Sequence, residues 1–242
     1  MVKFFLYIRT ITSYILLLLI GFICFIPCAI IIALPAKYRY DNRVFFWIAH
    51  IFYKACLHLL FVPLDIKGKQ HIPQESAIFV ANHQSSLDIP VVGSLCDGHP
   101  HAWLVLQYYA RSPLIGVFVR RMNVTVDRDN AIKAARALAR ILMFAKAHKS
   151  HLLIFPEGRR FTDGLIHDFF QGFALLAQKT GRPVVPIYIK NNYKIFPPYS
   201  FLVHYYPLIV RIGKPFVYSS DDTPITFTQR VQDWFIQENE IS

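Results

Sequence analysis

The sequence predicts an α/β fold: a mixed, mainly parallel sheet flanked by helices, led by hydrophobic N-terminal membrane helices. Three observations carry that expectation. Beyond residue 64, short apolar runs alternate with segments of helical periodicity, the pattern of strands with helices packed on their faces. Residues 10–36 hold no charge, 27 positions where about 20 suffice to cross a bilayer. The chain is also both apolar and basic: 54% of its 242 residues are hydrophobic, and 26 Lys and Arg stand against 15 Asp and Glu, a net charge of +11. With a mean hydropathy of +0.34, that balance fits a protein resting on an anionic leaflet or handling phosphate-bearing substrates. It does not fit a nucleic-acid binder, because there is no basic arm, RNA-binding signature or zinc-finger spacing. Residues 1–63 are read as a membrane-associating helical segment and residues 64–242 as the α/β domain.

Taken in order, the charge-free run is too long for a secretory signal, and its exit, Leu34-Pro35-Ala36, lacks a small-x-small cleavage pattern. Gly21 and Pro27 sit mid-run where a helix kinks, so a single span and a re-entrant hairpin both stay open. Lys3 and Arg9 precede the run and Lys37, Arg39 and Arg43 follow it, so flanking charge does not orient it. Residues 43–62 predict a second membrane-contacting helix, ended by Pro63. In it His50, Lys54 and His58 fall at i, i+4 and i+8 as one polar stripe; an ordinary buried helix is the alternative.

Strand-like runs follow at 65–67, 77–81, 101–106, 117–126, 152–155, 184–190 and 208–212. A helix is expected over 130–149, with Asp129 or Asn130 as N-cap and Ile132, Ala135, Leu138 and Leu142 as its apolar face. Lys133, Arg136 and Arg140 make a basic stripe on another face, a solvated surface or one suited to anionic lipid. A second helix, 170–179, is closed by Gly181 and Pro183. A last one, 224–238, begins at Thr223-Pro224 and carries Phe227, Val231, Trp234 and Phe235 on one side. Cys24, Cys28, Cys56 and Cys96 include no CxxC, so no disulfide framework or thiolate metal site is expected. His99-Pro100-His101 lacks a further ligand cluster nearby and reads as a polar loop; no metal is called for.

The chemistry concentrates at Asn82-His83-Gln84-Ser85-Ser86-Leu87-Asp88, which leaves the apolar run 77–81. A histidine at a strand end with a carboxylate one turn away is a ready general base, its ring oriented by the acid. In a continuous helix the two would lie roughly 140° apart and could not meet, so the pairing requires residues 84–87 to turn. On these residues alone a second reading stands beside it, in which Ser86 or Asp88 caps a helix and His83 is a loop residue.

Three further strand ends carry polar groups. Phe155-Pro156-Glu157-Gly158-Arg159-Arg160 brings a carboxylate, a glycine and two guanidiniums into one turn, suited to phosphate oxygens or equally to a surface ion pair. Asn123-Val124-Thr125-Val126-Asp127-Arg128 ends in a charged pair in which Arg128 either holds a phosphate or bridges to an acid at a helix start. Val184-Val185-Pro186-Ile187 is apolar, either a core strand or the wall of an acyl slot.

Those four motifs, in that order and spacing, resemble the glycerolipid acyltransferase family, most of all the 1-acylglycerol-3-phosphate O-acyltransferases and related lysophospholipid acyltransferases. The resemblance covers about residues 65–215 and makes 64–242 an acyltransferase domain. It implies that His83 is the catalytic base and Asp88 its partner. It also implies that Arg128 helps hold the acceptor's phosphate, that Glu157, Gly158 and Arg160 belong to the acceptor site, and that Val184, Pro186 and Ile187 support the acyl chain. Where the family commonly reads Phe-Pro-Glu-Gly-Thr-Arg-Ser, this chain has Arg159 and Phe161. It also has Met122-Asn123 where a glycine is frequent, and Gln171 for a lysine.

The expected reaction is acyl transfer from an acyl-CoA or acyl-ACP (acyl carrier protein) thioester to a lysophospholipid hydroxyl. Lysophosphatidic acid giving phosphatidic acid is the leading case. Glycerol 3-phosphate, another lysophospholipid or a lyso-aminolipid is the alternative acceptor. No cofactor is needed, and no acyl-enzyme is expected because there is no G-x-S-x-G elbow. The expected setting is a membrane, with the catalytic domain on its cytoplasmic face. A non-catalytic membrane-binding protein is the reading from another class; His83, Asp88, Glu157 and Arg160 together in one chain oppose it.

Overall fold

The computed structural model describes residues 2–113, 115–126 and 131–241. Among them, seven strands form one sheet: β1 (Leu64–Lys67), β2 (Ile78–Ala81), β3 (His101–Leu106), β4 (Val124–Val126), β5 (His151–Ile154), β6 (Val184–Lys190) and β7 (Leu208–Ile212). Their order is β1-β7-β6-β2-β5-β3-β4, and every neighbouring pair is parallel except β6 with β7. The fold is the mixed, mainly parallel α/β sheet that the alternation of runs predicts.

Two apolar layers sandwich the sheet, and strand alternation assigns side chains to them. Phe79 and Ala81 of β2 face a cluster with Val91, Trp103 and Val185. Ile78 and Val80 face the opposite cluster with Phe173, Leu176 and Val231. Buried on both faces, β2 carries no polar side chain.

Helix α1 (Val2–Ala33) is one continuous helix with Pro27 inside it, so the charge-free run does not fold back as a hairpin. Its residues Lys3–Ala33 are long and apolar enough to cross a membrane by length and composition. Most of its large apolar side chains are exposed, among them Phe22, Ile23 and Phe25. The short α2 (Ala36–Arg39) leads into α3 (Arg43–His58), whose N-cap Asn42 accepts from the Phe45 amide. Phe45, Phe46, Ile48 and Leu57 of α3 are buried; of the polar stripe, His50 meets Asp97 at 3.3 Å, while Lys54 and His58 are exposed.

Helices α4 (Asp88–Leu95) and α5 (Gly116–Met122) follow, and α6 (Ala131–Ala147), α7 (Gly172–Thr180) and α9 (Pro224–Ile241) cover the far face. Helix α8 (Asn192–Ile195) is a single turn after β6. Gly181 ends α7 in the left-handed conformation, φ 68°, as a C-cap glycine should. Phe227, Val231 and Phe235 of α9 are fully buried, so that periodicity matches the packing.

Two sequence expectations are corrected. Residues 117–126 are not one strand: α5 occupies the first part and β4 only the end. The Gly116 backbone packs against the Ala110 carbonyl, where a Cβ would come within 2.6 Å of the oxygen, and the Arg120 guanidinium donates to that carbonyl. These contacts override the strand preference of Val117, Phe118 and Val119. The buried face of α6 is Ala137, Ile141 and Ala145, with Leu138 and Leu142 beside it, while Ile132 and Ala135 are exposed. Ile132 and Ala135 thus make no part of the core, so the stripe read from residue 132 is rotated. The N-cap candidates Asp129 and Asn130 lie outside the described residues.

Candidate active site

Ligands of open α/β sheets bind beyond the C-terminal ends of the strands, and the polar motifs leave β2, β5 and β6 at that end. Asn82 continues β2 by clamping β6: its amide donates to the Ile189 carbonyl and its side-chain oxygen accepts from the Ile189 amide, both at 2.8 Å. The next residue, His83, is therefore delivered from a fixed point.

Residues 84–87 turn, and Asp88 opens α4. Its Oδ2 accepts from His83 Nδ1 at 2.8 Å, the Gln84 amide at 2.6 Å and the Ser85 amide at 2.8 Å. Its Oδ1 accepts from the Asn192 side chain at 2.6 Å. The capping alternative is not what forms: Leu87 is the N-cap of α4 with no side-chain cap, and the fully buried Asp88 carboxylate meets His83 instead. A carboxylate oxygen only accepts, so Nδ1 of His83 carries the proton and Nε2 is left with its lone pair. Phe155 fixes the ring plane by stacking at 4.0 Å and 8°, and Trp103 also stacks on Phe155 at 5.3 Å.

The turn after β5 is set by Gly158, φ 72°, whose amide donates to the Phe155 carbonyl. Glu157 is 4% exposed, and among the described residues neither of its carboxylate oxygens has a hydrogen-bond partner. Burial pushes its carboxyl up to about 8; the His83 amide opposes that rise, and the negative charges of Asp88 and Asp163 add to it. Arg160 reaches back over the dyad, donating to Ser86 Oγ at 2.8 Å and Tyr109 Oη at 3.2 Å. Two of the departures from the family pattern touch each other: the Arg159 guanidinium lies 4.6 Å over the Phe161 ring, which stacks on His167 at 3.5 Å.

His83, Gly158, Arg159 and Arg160 line a cavity of about 1650 Å³, larger than the roughly 300–1000 Å³ of an ordinary small-molecule site. Its remaining walls are mostly apolar and include Cys24 and Phe25 of α1, Phe52 of α3, and Trp103. The N-terminal helices, read from sequence as membrane elements, are therefore also walls of the site.

Val184, Pro186 and Ile187, the expected supports of the acyl chain, lie away from this cavity. All three are buried in β6, between β2 and β7 with both sheet faces covered, and none lines the cavity. Arg128 lies outside the described residues. Among the described residues, no group of three or more His, Cys, Asp or Glu stands together to hold a metal. Sequence reading missed Asn192, which is 104 positions from Asp88. Replacing it with alanine is expected to cost about 1–3 kcal/mol of stability by leaving one side of a buried carboxylate unpaired. Asn192→Asp is expected to be worse, since it faces one carboxylate with another. Urea denaturation of both variants checks this, and an unchanged midpoint for Asn192→Asp would reject the contact.

A histidine hydrogen-bonded to a buried carboxylate thus lines a mostly apolar cavity on a mainly parallel sheet, an arrangement suited to general-base chemistry on an apolar substrate. The Acyltransferase family model matches residues 63–190, and the chain belongs to that family. It is 31% identical over 188 residues to the 1-acyl-sn-glycerol-3-phosphate acyltransferase BAT2, chloroplastic, of Brassica napus, covering 76% of this chain and 54% of that protein. It is also 31% identical over 178 residues to the 1-acyl-sn-glycerol-3-phosphate acyltransferase of Saccharomyces cerevisiae, covering 70% of this chain and 57% of that one. The chain thus spans somewhat over half the length of these relatives. The crystal structure of the 1-acyl-sn-glycerophosphate acyltransferase PlsC from Thermotoga maritima has the same fold. It superposes with a TM-score of 0.76 at 22% identity, covering 99% of this chain and 97% of that one.

Proposed function

We propose that this chain moves a fatty acyl group from an acyl-CoA or acyl-ACP thioester to the free hydroxyl of lysophosphatidic acid, giving phosphatidic acid. The observation that carries the reading is the His83 and Asp88 pair, with Nε2 unengaged among the described residues and His83 lining a mostly apolar cavity. The names of the relatives support the acceptor. Nε2 takes the hydroxyl proton as the oxygen attacks the thioester carbonyl, and the imidazolium then gives that proton to the departing thiolate. Asp88 holds the tautomer and balances the ring's transient charge. Arg160, fixed over the 84–87 turn, and Arg159 supply guanidinium forks for the acceptor's phosphate. The buried Glu157 carboxyl supports the acceptor site. The cavity between α1, α3 and the sheet takes the acyl chain, in place of β6.

The membrane reading is finer than a crossing. Helix α1 is about 48 Å long at 1.5 Å per residue, and both of its ends are tied to the same domain. Near its start Arg9 donates to the Val203 carbonyl, Thr10 Oγ1 accepts from the Val203 amide, and Tyr14 Oη donates to the Phe201 carbonyl. At its end the Arg121 guanidinium donates to the carbonyls of Ile32, Ala33 and Leu34. A helix held along its length lies in one leaflet, its exposed apolar face in the acyl region and the domain on the cytoplasmic side.

Purified protein in vesicles, offered acyl-CoA and acyl-ACP against a lysolipid panel and read by lipid mass spectrometry, tests the reaction. Phosphatidic acid formed only with lysophosphatidic acid and a thioester is the expected result. No acyl transfer to any acceptor would overturn it.

A further inference from the structure

We infer that a second, smaller cavity beside the catalytic one is an organophosphate subsite, built around Lys194 and walled by Tyr193, His204 and Tyr206. This deepens the acyl-transfer reading and rests on it. The cavity measures about 410 Å³. Thr162 and Pro198 line both it and the catalytic cavity, so the two spaces meet there.

Its chemistry is that of an anion site. The Lys194 ammonium stands 5.6 Å from the Tyr193 ring centre and 6.0 Å from that of Tyr206. Among the described residues no carboxylate forms an ion pair with it. Ring faces hold a cation in position without neutralising it, so its charge remains for a ligand. The Tyr193, Tyr206 and Thr162 hydroxyls and the His204 ring add donors of the kind that phosphate oxygens accept. Under the proposed reaction such oxygens occur twice, on the acceptor's phosphate and on the carrier arm of the thioester donor.

The walls are fixed to the catalytic pair. In the single turn α8, Asn192 donates to Asp88 and the next two residues, Tyr193 and Lys194, line the cavity. Tyr193 Oη lies over Gly164, where φ is +76° and a Cβ would come within 2.8 Å of the hydroxyl. That joins the loop after β5 to α8. The His204 amide donates to the Ile195 carbonyl at 2.7 Å, and the preceding residue, Val203, is held by Arg9 and Thr10 of α1. A phosphate seated here is therefore indexed to His83 through one short, rigid turn.

The test compares wild type, Lys194→Gln and Lys194→Arg as full-length protein in vesicles, with thermal melting as the folding control. Donors are acyl-CoA and the phosphate-free S-acyl-pantetheine; acceptors are lysophosphatidic acid and the phosphate-free monoacylglycerol. Lys194→Gln is expected to raise KM for one phosphate-bearing substrate by about 10-fold, the loss of a charge-assisted bond at an exposed site. Its kcat is expected to hold within about 2-fold and Lys194→Arg to restore KM, since removal of a uniform binding contact raises KM alone. A penalty that vanishes with S-acyl-pantetheine assigns the phosphate to the donor; one that vanishes with monoacylglycerol assigns it to the acceptor. Unchanged KM values, a loss confined to kcat, or a penalty that persists with both phosphate-free analogues overturns the subsite. If wild type transfers to no acceptor, the reaction itself is wrong. Calorimetric binding of inorganic pyrophosphate, weaker in Lys194→Gln, then decides the subsite, and equal binding rejects it.

Discussion

His83→Ala is expected to lower kcat by about 10²- to 10⁴-fold, the usual worth of a general base, with the melting temperature close to that of the parent. The ring is half-buried, and its removal orphans one acceptor that still has three other donors. Asp88→Ala is expected to lose comparable activity and to unfold at clearly lower denaturant. There the amides of Gln84 and Ser85 and the side chain of Asn192 all lose their acceptor in a fully buried place. Transfer assays paired with urea titrations separate the two variants. Near-normal turnover by purified His83→Ala would remove the histidine from the mechanism.

The second large effect is a stability maximum near neutral pH, with a decline on both sides. Burial holds the His101 ring down to about 4 and the His151 ring down to about 3. Unfolding returns both to about 6.5, so the unfolded chain binds more protons as pH falls below that, and stability falls with pH. Glu157 acts in the opposite sense. Folded, it keeps its proton up to about 8; unfolded, it releases it near the usual 4.3. Between those values the folded state binds the extra proton, so its contribution weakens as pH rises. Two rings against one carboxyl put the balance point at about pH 6.5. Urea midpoints from pH 5 to 9 check this. Glu157→Gln is expected to flatten the alkaline limb and leave the acid limb alone. An unaltered alkaline limb in that variant would mean that Glu157 is ionised in the folded protein.

What the sequence reveals divides along a physical line. Local pattern exposes β2, β5, β6 and α9 because their side chains alternate or repeat with the period of their own element. It exposes the His83 turn because five residues hold all of that geometry. It fails at α5, whose Val and Phe read as strand until the Ala110 carbonyl is brought against Gly116. It leaves Val184, Pro186 and Ile187 open, since an apolar run looks alike in a sheet core and in a lipid slot. Asn192 and the Tyr109 contact to Arg160 join residues 104 and 51 positions apart. No periodicity encodes such meetings; the sheet order makes them.

Helix α1 turns one side to the cavity, through Cys24 and Phe25, while Phe22 and Ile23 lie outside it. On the proposed placement, the partition between the leaflet and the reaction chamber is a single helix thick. A lipid drawn into water forfeits about 0.8 kcal/mol for every methylene group it exposes. A lipid that slips past α1 exchanges one hydrocarbon neighbour for another and forfeits almost none of this. Substrate entry and product exit are then lateral movements, in which the chain stays dry and only the headgroup crosses to Arg159 and Arg160.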